Sequence, residues 1–136
     1  IAWGCDISRW ALDNADEMAK EYLSNSTMLW ADSFDWVIAK DVLEHIDDLN
    51  CAIAVLKTAR KGILVIVPLA HGKRYDVPEY EEDVTHVHRR PLSWWVGHFH
   101  QVGWSVEARY RIKGIKDNWS SYPTGNGFIV ARRIEE

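Results

Sequence analysis

Residues 63–67, Ile-Leu-Val-Ile-Val, are apolar at every position. A strand with one wet face alternates polar and apolar side chains. A strand without that alternation must be covered on both faces, as parallel strands in α/β proteins are. The apolar run ends at Ala70, far short of the ~20 residues that a membrane helix requires. This stretch therefore needs helices around it, and the flanking sequence supplies candidates. Leu49, Ala52, Ile53, Leu56 and Ala59 recur at helical spacing. Asp47 and Asp48 stand at the start of that helix, and Lys57, Arg60 and Lys61 at its end, which suits the helix dipole. Gly62 is placed to terminate it.

The same reading extends in both directions. Residues 1–7 read as the tail of a strand that ends at Asp6. Ser8 can cap a helix whose apolar face is Ala11, Leu12, Ala15, Met18, Ala19 and Tyr22. Residues 27–31 form a short strand candidate ending at Asp32, and residues 34–39 form the next strand. Residues 69–90 are polar and aperiodic, which predicts a long loop or lid. Leu92, Trp95, Val96, Phe99 and Val102 mark a third helix that stops at Gly103. Trp104, Val106, Ala108, Tyr110 and Ile112 alternate strictly, as in a half-buried strand. Residues 127–131 form a last strand, paired with the preceding one as an antiparallel hairpin at one edge. The order predicts a single α/β domain over residues 1–136, three-layered, with a mainly parallel sheet.

Composition narrows the class. With 47% hydrophobic and 26% charged residues, the 136-residue chain has the makings of a packed core. Net charge is -4, and no basic block is present. Arg109, Arg111, Lys113 and Lys116 read as a solvated edge, so nucleic acid is not expected as a partner, and neither is a membrane. Cys5 and Cys51 lie in apolar contexts and read as buried free thiols. Ile1-Ala2-Trp3-Gly4 does not resemble a signal peptide, and the expected location is the cytoplasm. Most of the eight tryptophans are expected in the core. A homo-oligomer is compatible with all of this.

In open α/β sheets ligands bind beyond the carboxyl ends of the strands. Asp6, Asp32, Asp41 and Glu44 fall at such ends. A carboxylate at the position of Asp6 can accept both hydroxyls of a ribose, or simply cap a turn. His45 and His86 are candidate general bases, because imidazole titrates near neutral pH. His86 and His88 with Asp83 fall short of a metal-ligand set, and no metal is expected. His98 and His100 read as helix-surface residues.

In combination these segments resemble the class I methyltransferases that use S-adenosylmethionine, in their small-molecule branch. The resemblance is carried by Gly4-Cys5-Asp6-Ile7-Ser8, Phe34-Asp35-Trp36-Val37-Ile38, Asp41-Val42-Leu43-Glu44-His45-Ile46 and the run from Gly62 to Pro68. Thr85-His86-Val87-His88, Trp94-Trp95 and Gly103-Trp104 are similar to the region that follows. The resemblance implies that Asp6 holds the cofactor ribose, with Ile7 beside the adenine and Asp32 at its amino group. Lys40 and Asp41 would flank the methionine part, and Asp35 would anchor its strand. It implies methyl transfer to an oxygen or nitrogen of a small-molecule acceptor. The family's first strand and Gly-rich loop have no counterpart here, so the fold is expected to be N-terminally incomplete. Two alternatives stay open: a non-catalytic remnant serving as a binding module, and a nucleotide-dependent oxidoreductase. Asp6 fits the latter, but nothing in it requires Leu43-Glu44-His45-Ile46.

Overall fold

A computed structural model describes residues 1–25 and 34–134. The chain forms two compact units, residues 1–31 and 32–136. Asp32 and the strand expected at residues 27–31 lie outside the described residues.

In the amino-terminal unit, β1 (Gly4–Cys5) pairs in parallel with β2 (Leu23–Ser24). The single helix predicted between them is two short ones, α1 (Arg9–Asp13) and α2 (Glu17–Lys20). Short polar side chains account for the break, since they compete for backbone groups. The Asn14 amide donates to the Trp10 carbonyl (2.9 Å), and Asp16 starts the second helix by accepting from Met18 N–H (2.8 Å). Ser8 caps α1 as expected, accepting from Ala11 N–H at 3.2 Å.

The second unit is built on a four-stranded sheet in the order β3 (Phe34–Lys40), β4 (Ala59–Pro68), β8 (Asn126–Arg133), β7 (Trp104–Arg109). β3 and β4 are parallel, and β8 runs antiparallel to both β4 and β7. The predicted hairpin exists, but its last strand is internal and β7 takes the edge. Helices α3 (Leu49–Leu56) and α4 (Leu92–Gln101) share one core with the sheet: Leu49, Ile53, Trp95 and Phe99 pack with Ala39, Ile63, Val65, Val67, Ile129 and Ala131. On the opposite face Trp36 and Ile38 are exposed. Among the described residues of this unit the helices cover one face, and the sheet is mixed rather than mainly parallel, with one parallel and two antiparallel pairings. No helix among the described residues is long and apolar enough to cross a membrane.

Local expectations fare unevenly. α3 stops at Leu56 and β4 begins at Ala59, so Gly62 lies inside the strand rather than ending the helix. A Cβ at Gly62 would stand 2.6 Å from Trp36 Cζ3 and 2.8 Å from the Ala131 carbonyl oxygen, so close approach is what requires glycine. Residues 69–90 are more ordered than a lid. They contain a small hairpin, β5 (Ala70–His71) with β6 (Arg74–Tyr75), and a turn at Pro78–Glu81; Leu69, Tyr75, Val77 and His86 are buried. α4 ends before Gly103, whose φ of +83° suits glycine. Both cysteines are free but exposed, contrary to expectation; Cys51 lies off the apolar stripe of α3 and donates to Asp48. Of the tryptophans, Trp95 and Trp104 are buried, whereas Trp3, Trp10 and Trp36 are exposed. Asp35 does anchor its strand, through Arg60 and Lys61 (3.4 Å each).

Candidate functional site

β3 and β4 run side by side to their carboxyl ends, where Lys40 pairs with Ile66. Asp41 then continues the ladder by donating its N–H to the Ile66 carbonyl (2.9 Å), while its backbone turns left-handed at φ 54°. The helical turn Leu43–His45 follows and carries the Glu44 side chain inward. A cavity of about 280 Å³ opens here, lined by Asp41, Glu44, His45, Tyr80, His86 and Lys116 among others.

Lys116 reaches this cavity from the connection between β7 and β8. Among the described residues it is the other non-glycine residue with positive φ, at 58°. The two strained residues, 75 positions apart, form an ion pair with one another. Strain at such positions costs on the order of 1–3 kcal/mol each and persists where the surroundings enforce it. Burial pushes the Asp41 carboxyl up, but hydrogen bonds and charge from Lys116 and Lys40 outweigh it and hold the group below its usual range. Burial likewise pulls Lys116 down, and Asp41 more than compensates, so the ammonium is kept charged. Lys116 also donates to the Tyr80 hydroxyl (3.3 Å), which in turn donates to Asn126 Oδ1 (2.8 Å). The sequence reading of Lys116 as part of a solvated edge is therefore wrong; its side chain is 13% exposed.

Beneath that pair lies an electron-rich cluster. Glu44 is fully buried, and neither carboxylate oxygen accepts a hydrogen bond from another residue. Burial raises its pKa to about 7, and the charges of Asp41 and Asp83 push the same way. The backbone of residues 86–88 is pinned to this turn, because Val87 and His88 N–H donate to the Glu44 carbonyl (2.8 and 3.2 Å). His86 is thereby brought beside His45, with ring centroids 4.6 Å apart. His45 Nε2 lies 3.8 Å from Glu44 Oε1. His88 points elsewhere: its Nε2 bonds the Ile46 carbonyl (2.7 Å) and its ring stacks on Trp94. Among the described residues, Glu44, His45 and His86 are the group able to hold a metal ion, each with a ligand atom within 4.8 Å of the others.

Of the site residues read from sequence, Lys40, Asp41, His45 and His86 thus gather at the carboxyl end of β3. Asp6 and Ile7 belong to the amino-terminal unit. There Asp6 ends β1 exposed, and its Oδ1 accepts from Ser8 N–H (2.7 Å); Ile7 is 95% exposed. That unit has an open groove of about 440 Å³ beside Arg9, Lys20 and Ser24, larger than the cavity at β3 but, among the described residues, with no buried ionisable group. Glu44 and Lys116 are the functional candidates that sequence reasoning left unassigned. Glu44 had a signal, an acid at a strand exit; Lys116 had none.

No known family's sequence model matches the chain, and no curated protein sequence does. Solved structures do. The chain is similar to the crystal structure of the methyltransferase domain of bacterial CtHen1-CN, with a TM-score of 0.58 and 18% identity over 95% of this chain and 76% of that one. A second crystal structure, of the methyltransferase domain of bacterial CtHen1-C, gives a TM-score of 0.55 at 16% identity, over 97% and 76% of the two chains. At such identity the likeness speaks for fold alone, and the fold is one that resembles a methyltransferase domain.

Proposed function

We propose that this chain is an S-adenosylmethionine-dependent methyltransferase acting on an oxygen or nitrogen of a small-molecule acceptor. The observation that carries the reading is the likeness of nearly the whole chain to methyltransferase domains. The β3 cavity adds support, since it lies where α/β sheets take ligands.

Taken unit by unit, the residues assigned from sequence offer groups that such a cofactor would use. The Asp6 carboxylate is oriented by Ser8 N–H and exposed, as an acceptor for ribose hydroxyls must be. Ile7 would give an apolar surface for the adenine, and Asp32 remains the candidate for its amino group. Lys40 and Asp41 would flank the methionine part. When bound, S-adenosylmethionine supplies an electrophilic sulfonium methyl. The protein's part is to align the acceptor, exclude water and accept a proton. His45 and His86 are the proposed proton acceptors. Each has its Nδ1 bonded to an oxygen, so in the neutral ring the lone pair is on Nε2.

Calorimetric titration of S-adenosylmethionine into chelator-treated protein tests the reading. Saturable one-to-one binding is expected, weakened at least ~10-fold by Asp6→Ala with folding unchanged by circular dichroism. Absence of both heat and thermal shift would overturn it and leave the non-catalytic binding module as the better account.

A further inference from the structure

We propose that Glu44, His45 and His86 form a binding site for a divalent transition-metal ion, of the manganese, cobalt or zinc type. The inference goes beyond methyl transfer and does not depend on it. It starts from the protons of the cluster. His86 Nδ1 lies 2.8 Å from the Tyr80 carbonyl oxygen, which can only accept, so in the neutral ring this nitrogen carries the proton and the lone pair is on Nε2, 3.6 Å from Asp83 Oδ2. Thr85 Oγ1 donates to Asp83 Oδ1 at 2.5 Å, leaving its oxygen to accept from His45 Nδ1 at 2.8 Å. In the neutral ring His45 Nε2 therefore also has the lone pair. Glu44 adds a fully buried carboxylate whose two oxygens receive no hydrogen bond from any other residue.

With Glu44 ionised and both imidazoles neutral, three electron-pair donors stand within 4.8 Å of one another. A buried carboxylate without partners is costly unless a cation or a proton meets it. Lys116 is spoken for, because its ammonium is bonded to Asp41 and Tyr80. The arrangement around the imidazoles is what metal ligation asks for. Each ring donates its distal N–H to an oxygen, one a backbone carbonyl and one a hydroxyl backed by a carboxylate, and such partners fix the tautomer and orientation of ligating histidines. Ligand atoms bound at about 2.1 Å stand roughly 3–4 Å apart, so the 4.8 Å span needs only small side-chain rotations to close. Two imidazoles and one carboxylate favour borderline transition metals over magnesium or calcium, which prefer all-oxygen sets. Three protein ligands leave coordination positions open, as catalytic rather than structural sites do.

With the ion bound, the Nε2 lone pairs of His45 and His86 are committed to it, and the proton-accepting role proposed above belongs to the metal-free chain. The test uses the full chain, freed of metal with a chelator and titrated with Co²⁺, Mn²⁺, Zn²⁺ and Mg²⁺ alone, without S-adenosylmethionine. One site is expected for the transition metals, with visible d–d absorption from bound Co²⁺ and a rise in melting temperature; Mg²⁺ should bind at least ~10-fold more weakly. Glu44→Gln and His86→Gln should each weaken Co²⁺ binding at least ~10-fold. His45→Gln, at a less buried position, provides the same readout if either of those fails to fold. His71→Ala, which removes an exposed imidazole paired with Asp76, should leave affinity unchanged. No saturable binding overturns the proposal, as does binding that survives in the folded Glu44 and His45 variants or disappears with His71.

Discussion

Burial lifts the Glu44 carboxyl to about 7, against an ordinary 4.5. In metal-free protein the folded chain therefore holds a proton, between pH 4.5 and about 7, that the unfolded chain has already released. Stability contributed below that window is lost as pH rises through it. The gap corresponds to about 3 kcal/mol. Urea unfolding at pH 5 and pH 8, in chelator, should show wild type losing up to that amount, while Glu44→Gln stays nearly flat across the same range. Parallel curves for the two proteins would remove Glu44 as the cause. The Asp41–Lys116 pair invites a double-mutant cycle. Lys116→Met strips a half-buried carboxylate of its main partner and should cost about 1–2 kcal/mol. Asp41→Asn in the same chain should recover part of it, since only the exposed Lys40 ammonium then lacks this partner; strict additivity in thermal melts would show that the pair does not couple. These residues were unevenly legible. The strand-exit acids are visible in sequence because the apolar run before them marks the strand. His86 was visible too, but its neighbours in the chain, Asp83 and His88, drew the eye as co-ligands. Folding turned His88 to Ile46, left Asp83 3.6 Å from His86, and brought Glu44 to it across 42 positions that no local spacing encodes.

Helices α3 and α4 were legible because their apolar spacing and their packing agree: Leu49, Ile53 and Leu56, then Leu92, Trp95 and Phe99, all reach the core. The first predicted helix had comparable spacing and still broke in two, since Asn14 and Asp16 offered the backbone local partners and neither fragment buries a residue. Spacing is a promise of burial, and without burial the caps decide. Gly62 shows the converse error. A glycine after a helix reads as a stop, yet here it clears space between β3 and β8 for the Trp36 ring. Gly62→Ala should destabilise by roughly 1–3 kcal/mol, the usual cost of overpacking. Trp36→Ala in that background should restore only part of the loss, because the Ala131 carbonyl remains 2.8 Å from the added methyl group. Full recovery would mean that the ring alone demands the glycine.

At the scale of the chain, the core cluster draws its residues from position 39 onward, and the helices of the amino-terminal unit bury none. Native-state hydrogen exchange should therefore be slowest on β4 and β8 and fast on α1 and α2; equal protection throughout would contradict two units of unequal stability. Alternating strands and helices announced an α/β class, and the last two strands announced a hairpin. Which of those two strands lies inside was also written, in the unbroken apolar run of residues 127–131 against the strict alternation that begins at Trp104. A hairpin pattern alone cannot say which strand takes the edge; the burial each strand demands can. The inner position of β8 has a consequence for how the protein is made. During synthesis β4 emerges long before residues 126–133, and until they follow, one flank of the most apolar strand stands open to other chains. The sheet is completed only when residues 126–133 pair with β4, so a nascent chain arrested at residue 125 should be recovered as aggregate, or held by a chaperone.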